Sequence, residues 1–157
     1  MRPEHPIETF EAVATRYCVW LDGHTQVKAT DFQAVAALLA ELVAEALTLP
    51  DVFEEDSGPK GETESTIPRL SVEGRDFYWQ LAEPWSVESP EVMGGILGGD
   101  LAEVYHDLKE GLHLYHSGGP SAQIHACWEW RFGFYTHWGA HATSALSAIY
   151  LRLQAAD

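Results

Sequence analysis

Between Ser121 and Tyr150 only Glu129 and Arg131 carry a formal charge and no proline intervenes. Into this run falls the stretch Trp128-Glu-Trp-Arg-Phe-Gly-Phe-Tyr-Thr-His-Trp-Gly-Ala-His141. A segment so apolar predicts one long helix with apolar residues on more than one face, placed at the centre of the fold. His137 and His141, four residues apart, sit inside it. An imidazole in such surroundings is either a hydrogen-bonded core group or a ligand, so the question of function turns on these two.

The rest of the chain reads as helices with different tasks. Phe10, Val13, Ala14, Tyr17, Trp20 and Leu21 recur at helical spacing over Ile7 to Leu21, and Asp22-Gly23 ends that helix with a glycine at the stop position. Thr30 with Gln33 resembles a capping box for a second helix, whose stripe is Val35, Leu38, Leu39, Leu42, Val43, Ala46 and Leu47 and which Pro50 stops. A third runs from Asp100 to His116, burying Leu101, Val104, Leu108, Leu112 and Tyr115. The connection His116-Ser-Gly-Gly-Pro120 is short enough to make the flanking helices antiparallel neighbours.

Two segments are not helical. Asp51 to Pro68 is acidic and rich in Gly, Pro, Ser and Thr, and reads as a flexible loop. Phe77-Tyr-Trp-Gln-Leu81 has the composition of a strand but no evident partner, so Arg69 to Pro90 reads as a connector laying its aromatics onto the bundle. The expected fold class is therefore all-α: a small antiparallel bundle of about four main helices, with a long acidic loop and an aromatic connector. Its 157 residues suit a single helical domain, residues 1–157, that needs neither disulfide nor metal to fold.

Charge narrows the partners. With 24 acidic against 9 basic side chains the net charge is -15, which disfavours nucleic acid and anionic membrane surfaces and favours a basic partner protein. Cys18 and Cys127 lie in apolar helical patterns and read as buried thiols. The opening Met-Arg-Pro-Glu-His-Pro lacks the apolar centre of a signal peptide, and no run matches a membrane span of about 20 apolar residues, so a cytoplasmic protein is expected.

One constellation carries chemistry. If residues 116 and 121 are level at the turn, Asp100 falls opposite His137, Glu103 opposite Phe134, and Asp107 opposite Trp130 or Arg131. Asp100, Glu103, His137 and His141 would then gather in one layer, the donor set of a nitrogen-and-oxygen metal site. The bland reading is that the carboxylates satisfy the histidines in an apolar interior. Arg131 near Asp107, with Glu129 able to join, reads as an ion pair fixing helix register. His113, His116 and His125 read as surface histidines near the turn. Ser117, Ser121 and Ser144 lack a nucleophile elbow, and Gly94-Gly-Ile-Leu-Gly-Gly99 lacks the strand and lysine of a phosphate loop.

Asp100-Leu-Ala-Glu-Val-Tyr-His-Asp-Leu-Lys-Glu-Gly-Leu112, Trp128-Glu-Trp-Arg-Phe132 and His137-Trp-Gly-Ala-His-Ala142 together resemble a bacterial family known as domain of unknown function 5063. Ala46-Leu-Thr-Leu-Pro-Asp-Val52 and the segment from Tyr78-Trp79-Gln80 to Pro84 are similar to it as well, so the resemblance spans all but Phe53 to Arg69. It implies a small, mostly helical bacterial protein and no particular activity. It also implies a shared signature of Asp100, Asp107, Trp128, Glu129, Trp130, Arg131, His137, Trp138 and His141.

Two functional readings follow. In the first, the chain is a non-catalytic protein–protein interaction module that uses no cofactor, with Tyr78, Trp79 and Trp85 as binding residues; an immunity or antitoxin role against a basic partner is its concrete form. It requires Trp79 and Trp85 to be exposed together. In the second, a divalent metal bound by Asp100, Glu103, His137 and His141 supports binding or catalysis between the two C-terminal helices. That reading fails if the histidines lie on dry, closed faces with separate partners. The chain itself is expected as a monomer or a homodimer.

Overall fold

A computed structural model describes residues 5–52 and 67–155. Most of the acidic loop expected over 51–68 lies outside the described residues. Five helices dominate: α1 Pro6–Asp22, α2 Phe32–Ala46, α3 Leu97–His116, α4 Gly119–Thr136 and α5 Trp138–Gln154. Two short sheets accompany them. β1 Gln26–Val27 pairs in parallel with β2 Ser71–Val72, and β3 Phe77–Leu81 pairs antiparallel with β4 Val92–Ile96. The fold is thus mostly helical and not all-α.

The first correction concerns β3, which does have a partner. Gly94 and Gly95 hid it, because glycine weakens the β signal of Val92–Ile96. The glycines are there for steric reasons. Gly95 faces Tyr78 and Gly94 faces Trp79 across the ladder. A Cβ on Gly95 would overlap the Tyr78 ring, and one on Gly94 would overlap the Phe77 ring. Aromatic rings on one strand therefore fill the space that side chains on the other leave open.

The second correction concerns the aromatic segment, which is two helices and not one. His137 breaks it with φ -149 and ψ -81, ending α4 and preceding α5. Its N–H still donates to Gly133 O at 2.8 Å, and its carbonyl accepts from Ala140 N at 3.2 Å, so the elbow keeps one backbone hydrogen bond on each side. Gly139 makes the elbow possible: a Cβ there would collide with the Phe134 carbonyl. A glycine for close backbone approach left no mark on the apolar pattern, which is why periodicity alone reads straight through it.

The α1 stop is Gly23, in right-handed helical conformation at φ -84. No Thr30 capping box forms; a 3-10 turn, Ala29–Asp31, leads into α2, and Asp31 Oδ2 accepts from Lys28 N at 2.9 Å. The α3–α4 connection is short, with Gly118 and Gly119 both at positive φ and proline in the first turn of α4.

The core draws on all five helices. Phe10, Val13 and Tyr17 of α1, Val35, Leu39 and Leu42 of α2, and Leu101, Val104 and Leu108 of α3 meet Trp130 of α4 and Trp138 and Ile149 of α5. Phe10 is wedged between the two indoles, 5.0 Å from Trp130 and 5.9 Å from Trp138. Both indole N–H groups find carbonyls: Trp138 Nε1 donates to Trp130 O at 2.9 Å, and Trp130 Nε1 to Leu108 O at 3.4 Å. Burial of each such ring contributes about 1.5–3 kcal/mol provided its N–H stays paired. Gly111 admits Trp130 against α3, since a Cβ there would overlap the indole.

Candidate functional site

The polar edge of α3 is built by spacing. Asp100, Glu103, Asp107 and Glu110 recur at three- and four-residue intervals, so they stand along one face, and the elbow at His137 brings two imidazoles against them. The predicted residues do assemble, but in a different register. Asp107, and not Asp100, holds His137: His137 Nδ1 is 2.7 Å from Asp107 Oδ2. Asp100 holds His141 instead, with Nδ1 2.8 Å from Oδ1. The extrapolated register already slips within α4, where Gly133 stands beside Asp107 in place of Trp130 or Arg131, so His137 at the end of that helix meets Asp107 and not Asp100.

Asp100 is the deepest member of the cluster and is buried. Its other oxygen, Oδ2, accepts from the Tyr78 hydroxyl, which ties β3 to the first turns of α3. Burial and that bond to a carboxylate push the Tyr78 phenol well above its ordinary value. A carboxylate near a helix N-terminus also gains from the backbone dipole. The bond to Asp100 raises the pKa of His141, against the lowering effect of burial; Glu103 and Asp107 add to the rise.

Neither histidine is closed off. The His137 side chain is 47% exposed and that of His141 32%, with ring centroids 5.0 Å apart. Glu103 Oε2 stands 3.8 Å from His137 Nε2, and Glu103 also lines a cleft of about 380 Å³ with Arg69, Ser71 and Gly98. A neighbouring group passed over in the sequence lies on the same helix. His106 forms with Asp107 and Glu110 a set whose ligand atoms all lie within 4.8 Å of one another.

The remaining signature residues separate into core and surface. Trp130 and Trp138 are core residues. Trp128 stacks on Phe132, with centroids 5.0 Å apart and planes 7° apart. Arg131 does not meet Asp107; its Nη1 is 3.2 Å from Asp51 Oδ1. Glu129 pairs with His125, 3.4 Å from Nε2, and His125 is buried and so not a surface group. His116 reaches Glu11 of α1 at 3.2 Å.

The β3–β4 ribbon supplies a second feature. Side chains alternate, so Tyr78 and Gln80 face the helices, where Gln80 Oε1 accepts from the Ser144 hydroxyl at 2.7 Å. Phe77, Trp79 and Leu81, with their cross-strand partners Ile96, Gly94 and Val92, form the outer face. The five of these with side chains are all between 49% and 69% exposed. In the following loop Trp85 is 93% exposed and Val87 90%. Of the three predicted binding residues, Trp79 and Trp85 are therefore displayed, whereas Tyr78 is turned inward. Phe77, Leu81, Val92 and Ile96 were missed, although their period-two spacing was visible once the strands were paired.

Both free cysteines are buried. Burial pushes the Cys18 thiol up to about 12 and the Cys127 thiol up to about 11, which leaves neither suited to nucleophilic chemistry. Among the described residues, no helix is long and apolar enough to cross a membrane.

No curated protein matches the chain. Among solved structures it is similar to protein BF1032 from Bacteroides fragilis, with a TM-score of 0.67 and 18% identity over 94% of this chain and 91% of that one. That likeness establishes a shared fold. The model of the family described as domain of unknown function (DUF5063) matches residues 2–154, nearly the whole length, and the chain belongs to that family.

Proposed function

We propose that the protein is a non-catalytic interaction module that docks a basic partner protein on the outer face of the β3–β4 ribbon. One observation carries this reading: every side chain on that face is apolar, and all are about half exposed or more. An aromatic and aliphatic patch of this kind is unfavourable in water and gains by being covered. Phe77 and Trp79 stand edge to face, with ring centroids 4.8 Å apart, a rigid pair of the sort that anchors interfaces.

The partner's chemistry follows from the surroundings. Glu83, Glu88 and Glu91 in the 82–91 loop are exposed beside the apolar face, and the whole chain carries -15. A fitting partner presents an apolar centre ringed by lysine or arginine, and its association slows and weakens with added salt. Neutralisation of a cationic protein, as by an immunity protein or antitoxin, is the concrete form of this reading.

Affinity capture followed by titration of the purified partner tests it. The expected result is a partner of positive net charge whose affinity falls at least about ten-fold with Trp79→Ala, as for a central interface aromatic. A partner bound equally well by wild type and Trp79→Ala overturns the assignment of the face.

A further inference from the structure

Helix α4 is apolar on two opposite sides, and the core uses only one of them. Ala126 and Trp130 are buried against the other helices. At about 100° per residue, Ile124, Trp128, Phe132 and Tyr135 fall on the far side, in a stripe about 80° wide. Ile124 is 41% exposed, Phe132 53% and Tyr135 60%, and Trp128 is partly exposed. We propose that this stripe packs against the same stripe of a second copy of the chain, joining two α4 helices across a two-fold axis. A helix apolar all round is ordinarily covered on every side, and a two-fold dimer covers such a stripe with a surface of its own kind.

Charge selects a second copy as the occupant. Each chain carries -15, so two copies repel wherever carboxylates line their contact. Between Gly119 and Thr136 the formal charges are Glu129 and Arg131 alone, one negative and one positive. Both are engaged within the chain: Glu129 stands 3.4 Å from His125, and Arg131 3.2 Å from Asp51. Arg131 also lies over the Tyr135 ring, 5.3 Å from its centroid. On α4 an acidic protein can therefore meet its own copy without setting carboxylate against carboxylate. The ribbon differs in this respect. Glu83, Glu88 and Glu91 beside it would oppose one another in a self-pairing, whereas they attract a basic protein.

The side chains suit an interface. Aromatic residues are enriched at the buried centres of protein contacts, where their area is removed from water. Trp128 and Phe132 already lie flat on each other, with planes 7° apart, so ordering them on association costs little. Salt separates this contact from the docking of a basic partner. Screening eases the repulsion between two chains of -15 and strengthens the α4 dimer, whereas it weakens attraction at the ribbon.

Sedimentation equilibrium of the purified full chain, at rising protein concentration and at low and moderate salt, tests the contact. A monomer–dimer equilibrium that moves towards dimer with added salt is expected. Phe132→Asp puts a charge at an exposed position of the stripe and should weaken the dimer by at least about ten-fold, as loss of an interface aromatic does. Tyr135→Ala should weaken it in the same direction and keeps the test decisive should Phe132→Asp unfold. Val19→Asp adds the same charge on α1, where Val19 is 63% exposed, and should leave the dimer unchanged. A chain that stays monomeric at every concentration overturns the proposal. So does a dimer that persists in Phe132→Asp and Tyr135→Ala, or one that Val19→Asp weakens equally, since either result places the contact away from α4.

Discussion

His137 is the residue that belongs to neither α4 nor α5, and its Nδ1 lies 2.7 Å from Asp107 Oδ2 in the middle of α3. The elbow between two helices is thus pinned by a side chain from a third. A hydrogen bond to a carboxylate at a partly exposed site is worth about 1 kcal/mol. Asp107→Ala should lower unfolding free energy by about that amount and speed amide exchange at the start of α5. Chemical denaturation and hydrogen exchange check it; unchanged exchange around 137–141 would contradict it.

His141 sets a pH dependence of definite sign. Its folded pKa is raised above 6.5, first by the bond to Asp100 and further by the charges of Asp100, Glu103 and Asp107, against burial. A raised folded pKa means that the protonated form is favoured by folding. The stabilisation is fully present below about pH 6.5, the value of the unfolded imidazole, and is lost as pH rises through the folded value. The melting-temperature gap between wild type and His141→Gln should therefore be wide in mild acid and narrow in mild alkali. A gap that widens with rising pH would show the sign to be wrong.

Thiol reactivity offers an independent check of the core. With Cys18 pushed up to about 12 and Cys127 up to about 11, both are protonated and buried near pH 8. A thiol reagent at that pH should leave the native protein unlabelled and modify two thiols per chain after unfolding. Rapid labelling of the native protein would mean that α1 or α4 is not packed as described.

Two glycines separate close approach from mere flexibility. At Gly139 a Cβ meets the Phe134 carbonyl, a backbone atom that cannot move aside, so Gly139→Ala should cost about 3 kcal/mol. At Gly99, within α3, a Cβ finds ordinary contact with Ile96 at 3.7 Å. Gly99→Ala should stabilise by about 0.5–1 kcal/mol, the usual helical gain of alanine over glycine. Denaturation midpoints of the two variants should move in opposite directions.

These cases show what could be read before the fold was known. The α1, α2 and α3 stripes and the α3–α4 turn were visible because apolar periodicity and turn chemistry are local signals. The gathering of Asp100, Glu103, His137 and His141 was visible too, since carboxylates and imidazoles at helical spacing share faces. The pairing within that layer was not, because α4 is already offset against α3 at Gly133, beside Asp107, and the chain then turns at 137. The β4 strand was concealed by Gly94 and Gly95, whose role appears only beside Tyr78 and Phe77. The outer face of the ribbon followed only once the strands were paired, as the register of Trp79 against Gly94 decides which residues share a side.

The most direct test of the docking account is position-specific crosslinking. A photo-crosslinking amino acid replaces Trp79 in one variant, Trp85 in a second and Tyr150, 60% exposed on α5, in a third. The account predicts one adduct with the same basic protein at 79 and 85 and none at 150. Adducts at 150 alone, or at all three positions alike, would contradict it.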